Sequence, residues 1–419
     1  MLNSESRWII GFLASVIVMF FWGLIWYRLS AGELVYDFST HYSRGLFFLE
    51  HGGWQGMNYN EYPPGALWYF VFLAALVPQQ YALTGFIVVA MFSNAILSLW
   101  FVKWHYEKMG TLAAFIGWFF LLAAGPVLFF RFEILVSIFV VLAWFMAKQQ
   151  KMSLAGFFLG LGVAMKIYPV ILLPILILET LKKQQKDFFA LIGGFILGVL
   201  LPVLAYVLFG GSFGEVFASY QFHGLKPIGV DSLWSSILVV YHFFSGLSLS
   251  LVPQYGIYGV TSVLALFPVK ILNYAWVLPF GLVFVYIIWR FRKVSYTHPI
   301  IPLALILTYL VFAKVLNIQY LWWAMSFLPW VLFSYPIKKE RLFVGAFAVI
   351  VLGLSHIVYP IYFFDLVHWF ENQGAISFVL FILILRNIFL LIFLVVILRW
   401  IFVLSRIGEY DIRQTKISR

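Results

Sequence analysis

Apolar stretches recur along the chain from Trp8 to Trp400, separated by short polar connections and by no long polar block. An α-helix rises about 1.5 Å per residue and a hydrocarbon core is about 30 Å thick, so about twenty apolar residues cross it. The pattern predicts a first helix over Trp8–Leu29. It predicts further spans near 81–102, 111–128, 133–147, 153–165, 168–181, 188–209, 272–291, 299–313, 320–336, 342–360 and 376–403. Those are twelve spans, or fourteen if two apolar runs within 210–271 also cross. The expected fold is all-α: a polytopic transmembrane helix bundle forming one membrane domain over 1–419. The first stretch is longer than the ~7–15 residue core of a cleaved signal peptide and reads as a retained anchor, although Ser30-Ala31-Gly32 is cleavage-like.

Two regions break the rhythm. Between Arg28 and Tyr81 lies a long first outer loop, residues 30–80, and a second outer region covers 210–271. Within the first, Pro64 to Val77 is apolar, but as a helix it reaches only about 20 Å. The basic residues decide its status. Lys103/Lys108, Lys148/Lys151, Lys182/Lys183/Lys186, Arg290/Arg292/Lys293 and Lys338/Lys339/Arg341 form small clusters between apolar segments, as cytoplasmic loops do. If Pro64–Val77 crossed, the clusters at 148–151, 182–186 and 290–293 would all lie outside, so the stretch is expected as an interfacial helix. Both termini are then cytoplasmic.

Composition agrees with that reading. With 64% hydrophobic and 10% charged residues there is too little polar surface to coat a soluble globule. The net charge of +11 is spread over loop clusters and forms no nucleic-acid surface. Cysteine is absent, which excludes disulfides and thiolate metal sites.

Candidate chemistry falls on the expected outer side. Among the acidic residues, Glu33, Asp37, Glu50, Glu61, Glu133, Glu215, Asp231, Asp365 and Glu371 lie there. Asp37 starts a run in which Phe38, Tyr42, Leu46 and Leu49 repeat at helical spacing, implying a helix with a carboxylate at its N-terminus. Asp37 either caps that helix or serves as a general base, and the local sequence leaves both open. Lys166 lies between two apolar segments each about 20 Å long as a helix, so its turn should sit below the outer surface. Lys314 and Arg131 occupy similar places. Three cations facing one cavity call for anions, and Glu133 answers one; a phosphate or pyrophosphate answers the others. The loop Tyr220–Pro227 adds His223 and Lys226. His41, four residues after Asp37, offers half a metal site with no matching acidic cluster, so a metal-independent reaction is favoured over one assisted by a divalent cation. Tyr59, Tyr62, Trp68 and Tyr69 suit an amphipathic ligand.

Several of these segments resemble a known group. The early Asp on a long first outer loop, Glu61-Tyr62-Pro63-Pro64, and Arg131-Phe132-Glu133 opening a short span are similar to the GT-C superfamily of membrane glycosyltransferases. Gly160 to Pro169, ending Lys166-Ile167-Tyr168-Pro169, and Phe312 to Leu321, containing Lys314-Val315 and Gln319-Tyr320-Leu321, resemble glycosyltransferase family 87, the polyprenyl-phosphate-mannose-dependent mannosyltransferase type. The likeness runs over about residues 8–335. It implies a GT-C fold, a polyprenyl-phosphate sugar donor, an inverting displacement and a general base at Asp37. It further implies donor-phosphate contacts at Lys166, Lys314 and His223, to which the charge pattern adds Arg131 and Lys226. The accompanying substrate contacts would be His41, Glu61, Tyr62, Glu133, Tyr168 and Gln319. The transferred sugar would be a hexose, mannose first, and the acceptor a membrane lipid or glycan. Glu133 stands where many relatives carry Asp, and Asn317-Ile318-Gln319 replaces the commoner Ser/Asn-Pro-Gln. A multi-span transporter or flippase, or a lipid-pyrophosphate glycan ligase, would use similar cations. Transporters usually carry two matching repeats, and no internal duplication is visible here.

Overall fold

The computed structural model of the protein describes residues 33–57, 61–182, 184–246, 248–262, 274–292 and 294–417, with Ile17 and Phe21. Apart from those two residues the expected first span lies outside the described residues, as does Tyr59. The chain is mostly helical. In order come α1 (Glu33–His51), α2 (Pro64–Ala75), α3 (Ala82–Met109), α4 (Thr111–Ala124), α5 (Glu133–Lys148), α6 (Met152–Met165), α7 (Leu173–Leu181), α8 (Gln185–Leu208) and α9 (Phe213–Leu225). After strand β1 (Ile228–Gly229) and helix α10 (Leu233–Ser245) comes a hairpin of β2 (Leu249–Gln254) and β3 (Ile257–Ser262). The remainder is α11 (Val277–Phe291), α12 (Ile300–Phe312), α13 (Ile318–Met325), α14 (Leu328–Ser334), α15 (Lys338–His356), α16 (Phe363–Asn372) and α17 (Phe378–Ile417).

Four helical stretches, Gln79–Met109, Gln185–Leu208, Lys338–Ile361 and Phe378–Ile407, are long and apolar enough to cross a membrane, which marks this as a membrane protein. They coincide with the spans expected near 81–102, 188–209, 342–360 and 376–403. The expected spans at 111–128, 153–165, 168–181, 272–291 and 299–313 overlap shorter apolar helices, and 133–147 falls on α5.

Four local expectations are corrected. Asp37 does not cap its helix, because α1 begins at Glu33 and Asp37 lies inside it; none of Glu33-Leu34-Val35-Tyr36 is a helix breaker, and an acidic residue in the first turn suits the helix dipole. Tyr220–Leu225 is not loop but the end of α9. The helix stops just before Pro227, whose ring disfavours helical geometry in the residue preceding it. The expected span 320–336 is two helices, α13 and α14, separated at Ser326-Phe327. Pro329 follows that break, lacking an N–H and crowding the carbonyl four residues back. Finally, the 210–271 region contains a three-stranded antiparallel sheet of order β1-β3-β2, with Ile228 opposite Val260 and Leu251 also opposite Val260.

The chain divides into two compact units. The first is Met1–Val170 with Phe189–Tyr220; the second is Ile171–Phe188 with Gln221–Arg419. In the first unit, α6 and α8 meet through glycine. A Cβ on Gly160 would lie 3.0 Å from the Gly198 Cα, and one on Gly156 would lie 2.7 Å from the Phe195 amide nitrogen. Gly156/Gly160 and Gly194/Gly198 thus form two small-xxx-small faces that bring backbones together where lipid offers no hydrophobic drive for association. In the second unit, α17 packs against α11, α12 and α15. Its Arg386 is 1% exposed and donates to the carbonyl of Asp231, while Asn387 donates to the Ser232 carbonyl and to Ser236 Oγ. Val230, Val239, Leu249 and Val260 join Leu366, Phe370, Leu380 and Leu383 in one apolar core, which anchors the sheet on α16 and α17.

Candidate functional site

The first unit assembles a polar site from three places in the chain. Asp37 comes from α1. Arg131 follows the short 3₁₀ turn Pro126–Phe130, and its Nη1 forms an ion pair with Asp37 Oδ2. Gly125, at φ 65°, turns the chain out of α4 and into that segment, in the left-handed region that glycine adopts without strain. Arg131 is extended, at φ −135° and ψ 155°. A 3₁₀ turn followed by extended chain leaves carbonyls without helical partners. Asn94 of α3 collects two of them, donating through Nδ2 to the carbonyls of Phe129 and Arg131, each at 2.8 Å. Its Oδ1 in turn accepts from the Tyr69 hydroxyl of α2 at 3.0 Å.

Beside this pair stands another. Glu133 opens α5, where the helix dipole favours a carboxylate. Lys166 leaves α6 in extended geometry and places its Nζ 2.5 Å from Glu133 Oε1 and 5.1 Å from the centre of the Phe132 ring. Burial pulls the Lys166 ammonium below its ordinary range. Glu133 opposes that shift by charge and hydrogen bond, Arg131 reinforces it, and Glu61 opposes it. The Tyr168 side chain is buried and lies within the field of Glu133. His41, one helical turn beyond Asp37, stacks on Phe70 at 4.1 Å, and its Nε2 is 3.2 Å from the Tyr62 hydroxyl. Burial, helped by the Lys166 charge, pulls His41 down to about 3, so it is a neutral imidazole at ordinary pH. Asp37, His41, Glu61, Tyr62, Arg131, Glu133, Lys166 and Tyr168 are therefore neighbours within one unit.

Glu133 was expected to answer one cation of three; it pairs with Lys166, and Arg131 holds Asp37 as well. The residues are not saturated by those pairs. Among the described residues, Arg131 Nε and Glu133 Oε2 are buried with no hydrogen-bond partner. One is a donor and the other an acceptor. Asp37 is about a quarter exposed and Arg131 about an eighth, whereas Glu133 is sealed at 1%. A separate apolar cleft of about 350 Å³, lined by Leu76, Val77, Pro78, Tyr81, Gly85 and Val88, shares no residue with this cluster.

The remaining predicted residues belong to the second unit. The Lys314 ammonium donates to the carbonyls of Gly224, at 2.8 Å, and of Lys226. It thereby caps the C-terminal end of α9, where a cation is favoured. Burial and the Lys226 charge pull Lys314 down to about 8. His223 lies in the last turn of α9, and the Lys226 ammonium sits 5.2 Å from the Phe222 ring centre. Gln319 is buried in the first turn of α13. Among the described residues no three His, Asp or Glu side chains group as metal ligands would.

Sequence reasoning missed Asn94, Tyr69 as a polar partner and the Asp231–Arg386 contact. A signal existed for Asn94, an amide inside an otherwise apolar stretch that would be costly if idle. No protein-family model matches the chain, and no curated protein matches it by sequence.

Proposed function

We propose that the protein is an inverting membrane glycosyltransferase with a GT-C fold of about twelve spans. It would move a hexose, mannose first, from a polyprenyl-phosphate donor to a lipid or glycan acceptor on the outer face of the membrane. The observation that carries this reading is the pair of unsatisfied buried atoms beside two ion pairs: Arg131 Nε needs an acceptor and Glu133 Oε2 needs a donor. Buried polar atoms without partners are rare in folded proteins, and a sugar phosphate supplies both complements, a phosphate oxygen and a hydroxyl. The likeness of Asp37 and Arg131-Phe132-Glu133 to the GT-C superfamily, and of Lys166-Ile167-Tyr168-Pro169 to family 87, points the same way.

In this reading the acceptor hydroxyl oxygen attacks the anomeric carbon from the face opposite the phosphate. The hydroxyl proton passes to Asp37, through the carboxylate oxygen not engaged by Arg131. The bond between the anomeric carbon and the phosphate oxygen breaks, its electron pair stays on the phosphate, and the configuration inverts because one displacement occurs. Arg131 and Lys166 stabilise the leaving phosphate as its negative charge grows. The resemblance also assigns phosphate contacts to Lys314 and His223 of the second unit, and this scheme places no step on them. The reaction needs no metal in this scheme.

Purified protein given a labelled polyprenyl-phosphate hexose and candidate acceptors should yield a glycoside of inverted anomeric configuration. Donor redistribution across vesicles with no glycoside would replace this reading with a carrier.

A further inference from the structure

We infer that Asn94 and Tyr69 are positioning residues: together they set the turn before Arg131 so that its guanidinium meets the carboxylate of Asp37. The inference rests on the proposed role of Asp37 and adds to it the device that holds the base and its partner in register.

The 3₁₀ turn ends at Phe130 and Arg131 leaves it in extended geometry, so the Arg131 carbonyl lies outside the turn's own ladder. Asn94 supplies what the backbone lacks. Both amide hydrogens are used on the turn, one on the carbonyl of Phe129 and one on that of Arg131 itself. Asn94 is 2% exposed, so each lost bond would strand a carbonyl away from water. An amide can rotate or exchange its ends; the Tyr69 hydroxyl removes that freedom by marking Oδ1 as the acceptor. Tyr69 stands on α2 and Asn94 on α3, so the same three-bond relay also fixes the turn against both helices. The second bond ends on the residue that carries the guanidinium, one peptide from the ion pair, where small displacements count most. A placement error of about 1 Å at a reacting group costs about a hundredfold in rate.

The experiment compares Asn94→Leu, nearly isosteric but without hydrogen bonds, and Tyr69→Phe, which removes the hydroxyl alone. Each is made in the natural chain and in an Arg131→Met background. With the labelled donor and an acceptor at saturation, Asn94→Leu should lower kcat about a hundredfold in the natural chain, and Tyr69→Phe should lower it less. In the Arg131→Met background both losses should largely vanish, because the residue they position is gone. Equal losses in both backgrounds overturn the inference, since a purely structural role predicts them. Tyr69→Phe keeps the test open if Asn94→Leu fails to fold.

A second readout needs no activity. The chain has no cysteine, so an Asp37→Cys/Arg131→Cys variant treated with a short bifunctional thiol reagent reports the register directly. Cross-link yield should fall severalfold when Asn94→Leu is added, and an unchanged yield overturns the positioning role. If the yield falls while Asp37→Asn keeps full turnover, the proposed base fails and Asn94 is left without a catalytic consequence.

Discussion

Glu133 is the most deeply buried charge of the candidate site, and its stability consequence can be separated from catalysis. Lys166→Met removes the ammonium 2.5 Å from a carboxylate that is 1% exposed. Breaking such a pair from one side typically costs about 3–5 kcal/mol, while replacing both partners with neutral groups costs far less. Lys166→Met should therefore lower the thermal midpoint in detergent, and Glu133→Gln/Lys166→Met should recover most of it. Asp37→Asn, by contrast, should leave the midpoint near its natural value and reduce turnover by about 10²–10⁴-fold, the usual worth of a general base; full turnover would remove the base assignment. His41 gives a third handle. Its folded-state pKa, about 3, lies below the ordinary value of 6.5, so the unfolded chain binds a proton first. Its stabilising contribution is complete above about 6.5 and is lost as pH falls toward 3. His41→Gln should flatten the acid side of the stability curve, which unfolding measured across pH will show. The charged members of this cluster were legible in the sequence because charge is conspicuous among apolar neighbours. Their pairing was not: Asp37 and Arg131 are far apart in sequence, and only the packing of α1 against the turn joins them.

Helices show the same division between what periodicity reveals and what it hides. The glycines of α6 were visible as composition, but their use depends on α8 presenting Gly194 and Gly198 opposite. With Gly198 Cα only 3.0 Å from where a Gly160 side chain would begin, Gly160→Leu must push the two helices apart. It should cost a few kcal/mol, comparable to other overpacked sites, and Gly193→Leu, whose Cβ would meet nothing within 4 Å, should cost little. Thermal unfolding of the two variants side by side checks the contrast. The short strands escaped notice for a different reason. A brief apolar run such as Ile257–Ser262 carries no period long enough to separate strand from helix. The break between α13 and α14 was foreseeable from Pro329, whose effect on the carbonyl four residues back is local and does not depend on the fold.

At the scale of the molecule, membrane character was fully legible, because an excess of apolar residues leaves no other solvent. The number of crossings was not, since a helix such as α6 reaches only about 20 Å on its own. Charge parity nevertheless makes a topological prediction that the cysteine-free chain is well suited to test. In sealed right-side-out cells, a membrane-impermeant maleimide should label Gly224→Cys and spare Gln150→Cys until the membrane is opened. Labelling of both from outside would reverse the expected sidedness of the loop at 148–151.

The interleaving of the two compact units carries a consequence for how the chain is made. It leaves the first unit at Val170, enters the second through Phe188, and returns for Phe189–Tyr220 before leaving again. A nascent chain that has delivered α6 to the bilayer therefore holds Gly156 and Gly160 without their partner until α8 emerges from the ribosome. Until then the glycine face of α6 is open to lipid or to an insertase. Chains stalled before α8 has left the ribosome should stay bound to the insertion machinery, and chains stalled far enough beyond residue 220 for α8 to have emerged should be released.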